Sequence, residues 1–342
     1  MAALKTAIAD IYEPEPWTNH FIEEMNAKNA LIQSGIAQPD QMVADAVQKG
    51  GRIIEMPYFD DLPHDTASTT RSSIADDTDT EITPSGVTDS VDIAYADFRT
   101  KAWEVAKIVS YTAGQDPAQV VMARFVSWWL KEEQRILISK LKGIFAVQLA
   151  TTHSKDISTA DGANATADNL ISVTAIEDVR FLLGDAYDKL TAMLMHSVVF
   201  KRLRLLNLID FVPVSDQNST PIPFFQGLRV FVDDTCGAVA GGTSGYVYPT
   251  YLFGQGAIAR ENFPVASGDS RLALVKDEKA GSGAGKLEII TRDYFVMHPR
   301  GIKWVGTPSG TTPSNTELEV GSNWTKVYND KNIRIVRLLT NG

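Results

Sequence analysis

Residues 114–145, GQDPAQVVMARFVSWWLKEEQRILISKLKGIF, decide how this chain is to be read. Asp116 can accept from the free backbone amides at a helix N-terminus, and Pro117 at the first helical position has no amide to leave unsatisfied. Behind them Val121, Phe125, Trp128, Trp129, Ile136, Leu137, Leu141, Ile144 and Phe145 recur at three, four and seven, so one apolar face persists. The spacing predicts a helix over 117–148, roughly thirty residues or about 45 Å at about 1.5 Å per residue. A helix of that length spans an elongated domain.

Upstream of this helix the pattern is strand-like from Arg52 to about Lys107, with turn signals at Thr83-Pro84-Ser85-Gly86 and an alternating stretch at Val91-Asp92-Ile93-Ala94-Tyr95-Ala96. Between Ile53 and Phe98 stand eleven acidic residues and one base, Arg71, so this segment alone carries a net charge of -10. Such a segment repels itself and buries little of its own surface. It reads either as a solvated acidic loop or as a projecting arm that needs a basic partner surface, in another copy or another protein. The first 48 residues are helical in pieces, with Trp17, Phe21, Ile22 and Met25 at helical spacing, and Gly50-Gly51 closes that region.

Downstream, 151–169 is a polar loop. Thr174-Ala175-Ile176-Glu177 predicts a capping box for a second helix running to about Leu190, and His196 or Ser197 opens a third through Leu206. Short strands follow at 228–232, 272–275, 287–291 and 302–305, and Ile333, Ile335 and Val336 alternate with Arg334 and Arg337 as a closing strand. The class is α+β, without internal repeats.

At 342 residues the chain has room for about two domains of roughly 150 residues each. With 44% apolar and 22% charged residues it has the composition of a folded globular protein. No apolar run reaches the roughly 18 residues of a membrane helix, and Met1–Asp10 lacks a secretory-signal pattern. A single cysteine, Cys236, excludes an intrachain disulfide and suits a reducing compartment. The overall charge of -10 opposes sequence-independent phosphate binding.

Motifs for chemistry fail in detail. Gly281-Ser282-Gly283-Ala284-Gly285-Lys286 has Ala280 where a phosphate loop needs its first glycine and Leu287 where it needs Ser or Thr, so it reads as a flexible turn. Lys286 also occupies the third glycine position of a dinucleotide fingerprint. His20, His64, His153, His196 and His298 are scattered without zinc-type spacing, no serine sits in a nucleophile elbow, and Cys236 lacks a catalytic signature. Trp128-Trp129 fits a core or subunit interface better than a base-stacking platform. No catalytic, cofactor or metal residue is expected.

The order of parts resembles the major capsid proteins of tailed bacteriophages. An N-terminal arm, an acidic hairpin, a long helix introduced by Asp116-Pro117 and a segment with Met195-His196-Ser197 appear in sequence. They are followed by Gly227-Leu228-Arg229-Val230-Phe231-Val232-Asp233-Asp234, Tyr251-Leu252-Phe253-Gly254-Gln255-Gly256-Ala257 and His298-Pro299-Arg300-Gly301-Ile302-Lys303-Trp304. The resemblance covers almost the whole chain and implies the Hong Kong ninety-seven type fold. On that fold 1–52 is an N-arm, 53–98 an E-loop and 99–170 a P-domain with its spine helix at 117–148. An A-domain then occupies 171–286, and C-terminal strands over 287–342 return to or near the P-domain.

The implied function is structural: pentamers and hexamers assembling in the host cytoplasm into an icosahedral virion head around double-stranded DNA, without sequence-specific binding. Scaffolding, portal and decoration proteins are the further partners it implies. Acidic E-loop residues Asp76, Asp77, Asp79 and Glu81 are expected to meet a neighbour's Arg135, Lys140 and Lys142 on the spine helix, or else Lys326, Lys331, Arg334 and Arg337. Some members of the fold join an E-loop lysine to a neighbour's asparagine, but no lysine lies between Ile53 and Phe98 here, so non-covalent shells are expected. An encapsulin-like compartment is the nearest alternative reading. A tail or connector ring protein and a hydrolase with dispersed catalytic groups stand further off.

Overall fold

The computed structural model describes residues 35–59, 89–113, 117–212, 222–264 and 271–342. After strand β1 (Ala37–Gln38), helix α1 (Gln41–Lys49) starts where the Asp40 carboxylate accepts from the Met42 amide, and it buries Val43 and Val47. Strand β2 (Ile53–Phe59) turns Ile54 and Met56 inward and pairs antiparallel with the 18-residue strand β3 (Asp89–Ala106), from Ile53 opposite Tyr95 to Phe59 opposite Asp89. Helix α2 (Pro117–Ala146) follows as one rod of 30 residues, ending two residues short of the expected limit. Asp116, the expected cap, lies outside the described residues.

Next come strand β4 (Ser154–Asp156), helix α3 (Val173–Arg180), strand β5 (Leu190–Met195) and helix α4 (Ser197–Leu205). The remaining strands are β6 (Asp210–Val212), β7 (Ile222–Phe225), β8 (Leu228–Val232), β9 (Val239–Ala240), β10 (Tyr246–Gly254) and β11 (Ile258–Asn262). Last come β12 (Leu272–Asp277), β13 (Lys286–Pro299), β14 (Ile302–Trp304), β15 (Trp324–Lys326) and β16 (Ile335–Thr340).

Helix α4 opens as expected, with a His196 ring nitrogen accepting from the Val198 amide. Helix α3 differs from expectation at both ends. The Ser172 hydroxyl, not Thr174, accepts from the Ala175 amide, and the helix stops at Arg180, where the chain tightens into a 3-10 turn kinked at Gly184 (φ 59°). The glycine-rich segment joining β12 to β13 is a turn: Gly281, Ser282, Gly283 and Gly285 all take positive φ, a region that glycine enters without steric cost.

Two sheets organise the molecule. The six-stranded sheet runs β1-β11-β13-β3-β2, with β12 also on β13. The eight-stranded sheet runs β4-β16-β10-β5-β8-β7-β6, with β9 on β10. The boundary expected at residue 286 therefore cuts through paired strands, since β11 and β12 share the sheet of β13 and β3. Of the C-terminal strands, β13 pairs with β3, while β16 closes the other sheet between β10 and β4.

Helix α2 meets both sheets. Ile136, Leu137, Leu141, Ile144 and Phe145 share one buried cluster with Leu194, Tyr251 and Phe253 of the eight-stranded sheet and with Ile258, Phe295 and Met297 of the six-stranded one. Trp129 is buried and its indole N–H donates to the Thr291 hydroxyl at 3.0 Å, while Trp128 packs edge-on between Trp103 and Trp129. Both rings of the pair belong to the protomer's own packing, and burying one such ring contributes about 1.5–3 kcal/mol.

The closest approach to the helix is at Gly143, where an added Cβ would lie 2.0 Å from the Leu318 carbonyl oxygen and 2.6 Å from the Trp324 indole nitrogen. Alanine ordinarily favours a helix over glycine by about 1 kcal/mol. Here Gly143→Ala is expected to destabilise instead, by about 2 kcal/mol or more, because the Trp324–Leu318 hydrogen bond and the helix cannot both stay in place. A lower urea midpoint for the isolated subunit, at unchanged slope, is the check.

Candidate functional site

The ribbon of β2 and β3 begins on a firm base. Val43 and Val47 of α1 pack with Ile54, Met56, Ala94 and Ala96 of the ribbon and with Ala259 and Val296 behind it. Asp92 is buried, accepting from His298 Nε2 and from the Gly301 amide, each at 2.9 Å. Burial opposes its charge, but the histidine and the amide outweigh that and hold the carboxyl below its usual range. Tyr58, near the end of β2, stacks on Tyr328 with ring centroids 4.1 Å apart. These contacts hold the ribbon against the body. Asp76, Asp77, Asp79 and Glu81 lie outside the described residues.

The acidity of this segment divides into two kinds. Asp92 and Asp97 are buried and partnered inside the protomer, so they do not belong to a projecting charged surface. Glu55 and Asp89 are exposed.

The three expected bases on α2 separate in the same way. Arg135 is 62% exposed and pairs loosely with Glu132 at 3.7 Å, and Lys142 is 44% exposed and reaches Glu319 at 3.2 Å. Lys140 corrects the expectation. It is buried, its ammonium lies 2.5 Å from both Asp97 Oδ2 and the Met297 carbonyl, and it faces β3 and β13 within its own subunit. Burial lowers its pKa, and Asp97 works against that fall. The sequence carried the signal, because position 140 is four beyond Ile136 and four before Ile144, on the apolar face. Among the C-terminal bases, Lys326 pairs with Asp330, Lys331 with Asp185, Arg337 lies over the Phe145 ring, and Arg334 is exposed.

The sequence search missed a second buried charge group. Glu133 of α2 pairs with Arg260 of β11 at 2.6 Å, and Arg271 pairs with Asp293 of β13 at 2.8 Å. Burial and the nearby Glu133 push the Asp293 carboxyl up, against the two guanidinium groups. These four side chains are buried between α2 and the six-stranded sheet. Among the described residues no group of three or more His, Cys, Asp or Glu side chains is placed to hold a metal, and no helix is long and apolar enough to cross a membrane. Cys236 is buried and its thiol is pushed up by that burial. His153 and His298 are core histidines with hydrogen-bond partners, whereas His20 and His64 lie outside the described residues.

A long helix joins the two sheets, and the ribbon of β2 and β3 is clamped at its base. No family model matches the chain. It is 33% identical over 336 residues to the major capsid protein of Bacillus phage SPP1, covering 97% of each chain. The capsid asymmetric unit of cyanophage Pam1 superposes with a TM-score of 0.55 at 11% identity over 99% of both chains. The capsid of Ralstonia phage GP4 gives 0.57 at 9% identity over 91% of this chain and 88% of that one. The solved structures show the shared fold, the Hong Kong ninety-seven type. The chain belongs to the family of phage major capsid proteins: it is a shell-forming structural protein of the virion, not an enzyme.

The buried pair on α2 yields a measurable asymmetry. Asp97→Ala strands an ammonium in the core and is expected to cost about 3–5 kcal/mol. Adding Lys140→Met to it should recover most of that loss, read as urea unfolding of the isolated subunits. Equal instability of single and double variants would show that the loss does not come from the stranded ammonium.

Proposed function

We propose that the subunit assembles as pentamers and hexamers into an icosahedral phage head around double-stranded DNA, with 53–98 acting as the E-loop that crosses a neighbouring copy. The observation that carries this reading is the clamped base of the ribbon, joined to an outer segment, 60–88, with seven acidic residues and Arg71 alone against them. A self-repelling segment on a rigid base favours a partner surface of opposite charge. Arg135 and Lys142 suit that role, because their present partners are exposed pairs of the kind worth about 0–1 kcal/mol and are readily exchanged.

An acidic wall also suits a genome container. Tight binding to phosphates would hinder movement of the packaged DNA, whereas weak repulsion leaves it free to slide. Assembly in the host cytoplasm, with scaffolding, portal and decoration proteins as helpers, completes the proposal. Its test is negative-stain microscopy with light scattering on the protein expressed alone and with its scaffold. Closed shells or capsomer-sized rings support it, and a monodisperse monomer under both conditions overturns it.

Two further outcomes follow from the charge and composition of 53–98. Changing Asp76, Asp77, Asp79 and Glu81 together to lysine is expected to abolish normal shells by microscopy, while circular dichroism of the protomer stays unchanged. With no lysine in that segment, mature particles boiled and reduced should run as a single monomer band, and a ladder above it would contradict the non-covalent reading.

A further inference from the structure

Beside the ribbon base lies a cleft of about 200 Å³ lined by Tyr58, Gly256, Arg300, Tyr328, Asn332 and Arg334. Its chemistry is uneven. Two guanidinium groups face it, and the nearby Asp40 carboxylate engages Arg300 Nη2 at 2.8 Å. Arg300 Nε is buried and has no hydrogen-bond partner among the described residues, and Arg334 offers Nη1 to the Gln255 carbonyl at a long 3.3 Å. The stacked Tyr58 and Tyr328 supply an aromatic wall. Burial, with Asp92 and Tyr58 beside it, pushes the Tyr328 phenol up to about 12, so it stays a hydrogen-bond donor at neutral pH. Two arginines, a phenol and an aromatic wall recognise a carboxylate carried on an extended, ring-bearing peptide.

The chain supplies such a peptide at this place. The Gly256 amide at the rim of the cleft donates to the carbonyl of Gly35, the first described residue, at 2.8 Å. The 34 residues before it carry Asp10, Glu13, Glu15, Glu23 and Glu24 against Lys5 and Lys28, and residues 13–17 read Glu-Pro-Glu-Pro-Trp. Pro14 and Pro16 each fix φ near about -65°, which lowers the entropy lost when the stretch is held. Glu15 stands twenty residues before Gly35. A tether of that length spans at most about 65 Å when extended and holds the segment near the cleft at an effective concentration on the order of millimolar.

We propose that this cleft binds the Glu13-Pro14-Glu15-Pro16-Trp17 segment of the same chain, with the two glutamates on Arg300 and Arg334 and the proline and indole rings against Tyr58 and Tyr328. The N-terminal arm is then folded back on its own subunit, beside the base of the ribbon. This inference goes beyond the shell reading and does not depend on it.

The sole native cysteine is buried, so an engineered disulfide reports cleanly. Full-length protein carrying Glu15→Cys and Asn332→Cys, kept as dissociated subunits at low micromolar concentration, is oxidised and run on a non-reducing gel. The expected result is a faster-migrating monomer, reversed by reductant and reduced at least fivefold by adding Arg334→Glu or 0.5 M salt. Glu15→Cys with the exposed Gln255→Cys is the second pair, should Asn332→Cys disturb the fold. Absence of the fast band in a pair that circular dichroism shows folded overturns the proposal. A band at twice the monomer mass in its place also overturns it, by making the occupant a second copy. Shell formation is scored separately by microscopy, so either reading can fail alone.

Discussion

The ammonium of Lys140, held between Asp97 and the Met297 carbonyl, is the contact on which the arrangement of this subunit depends. Among the described residues three side chains of α2 tie it to the six-stranded sheet: Trp129 to Thr291 of β13, Glu133 to Arg260 of β11, and Lys140 to Asp97 of β3 and the Met297 carbonyl of β13. Taking such charges out of water is costly, and their mutual attraction does little more than offset it. Their effect is on position. A slip of one helical turn, about 5.4 Å, would leave all three sets of buried groups without partners, whereas the apolar face alone would tolerate it far better. With the helix fixed, its other contacts, Phe145 with Tyr251 and Arg337, set the eight-stranded sheet against it.

Apolar periodicity made the long helix and most strands legible in the sequence, because burial there follows simple repeats. The reading fell short where polar groups are buried. Strand β13 runs to Pro299 and not to Thr291, because Arg292-Asp293 interrupts the apolar alternation while Asp293 still points inward to Arg271. Lys140 was read as a surface base for the same reason. Partners distant in sequence were a second limit: β16 pairs with β10 more than eighty residues earlier, and nothing local to either strand announces it. Local cap chemistry also misled once: Thr174, with Glu177 three residues on, completes the capping-box pattern, yet the cap is Ser172, which has Ala175 in that place.

Charge was the feature of the sequence that singled out one segment. An excess of carboxylates drew attention to 53–98. Charge counting could not separate acids that act within the subunit from those left over for neighbours. Asp92 and Asp97 belong to the first group, since each is sealed against a specific donor. The clefts and turns around Tyr328 and Gly301 are formed by residues that no motif groups together. The Cβ of any side chain at Gly301 would lie 2.6 Å from the Tyr328 ring, so the place where ribbon, β13 and the C-terminal segment meet admits glycine alone.

Strand β3 changes partners along its length without a break: residues up to Tyr95 pair with β2 in the ribbon, and from Ala96 onward the same strand pairs with β13 in the body. At about 3.3 Å per residue its 18 residues make a beam about 60 Å long. There is no loop between arm and body to act as a joint. A sideways load on the ribbon therefore arrives as a torque about the Asp92 clamp and passes through Asp97 into helix α2. Subunits linked in this way would share stress elastically, so that a shell under internal pressure would yield by bending many beams slightly before any one hinge opened.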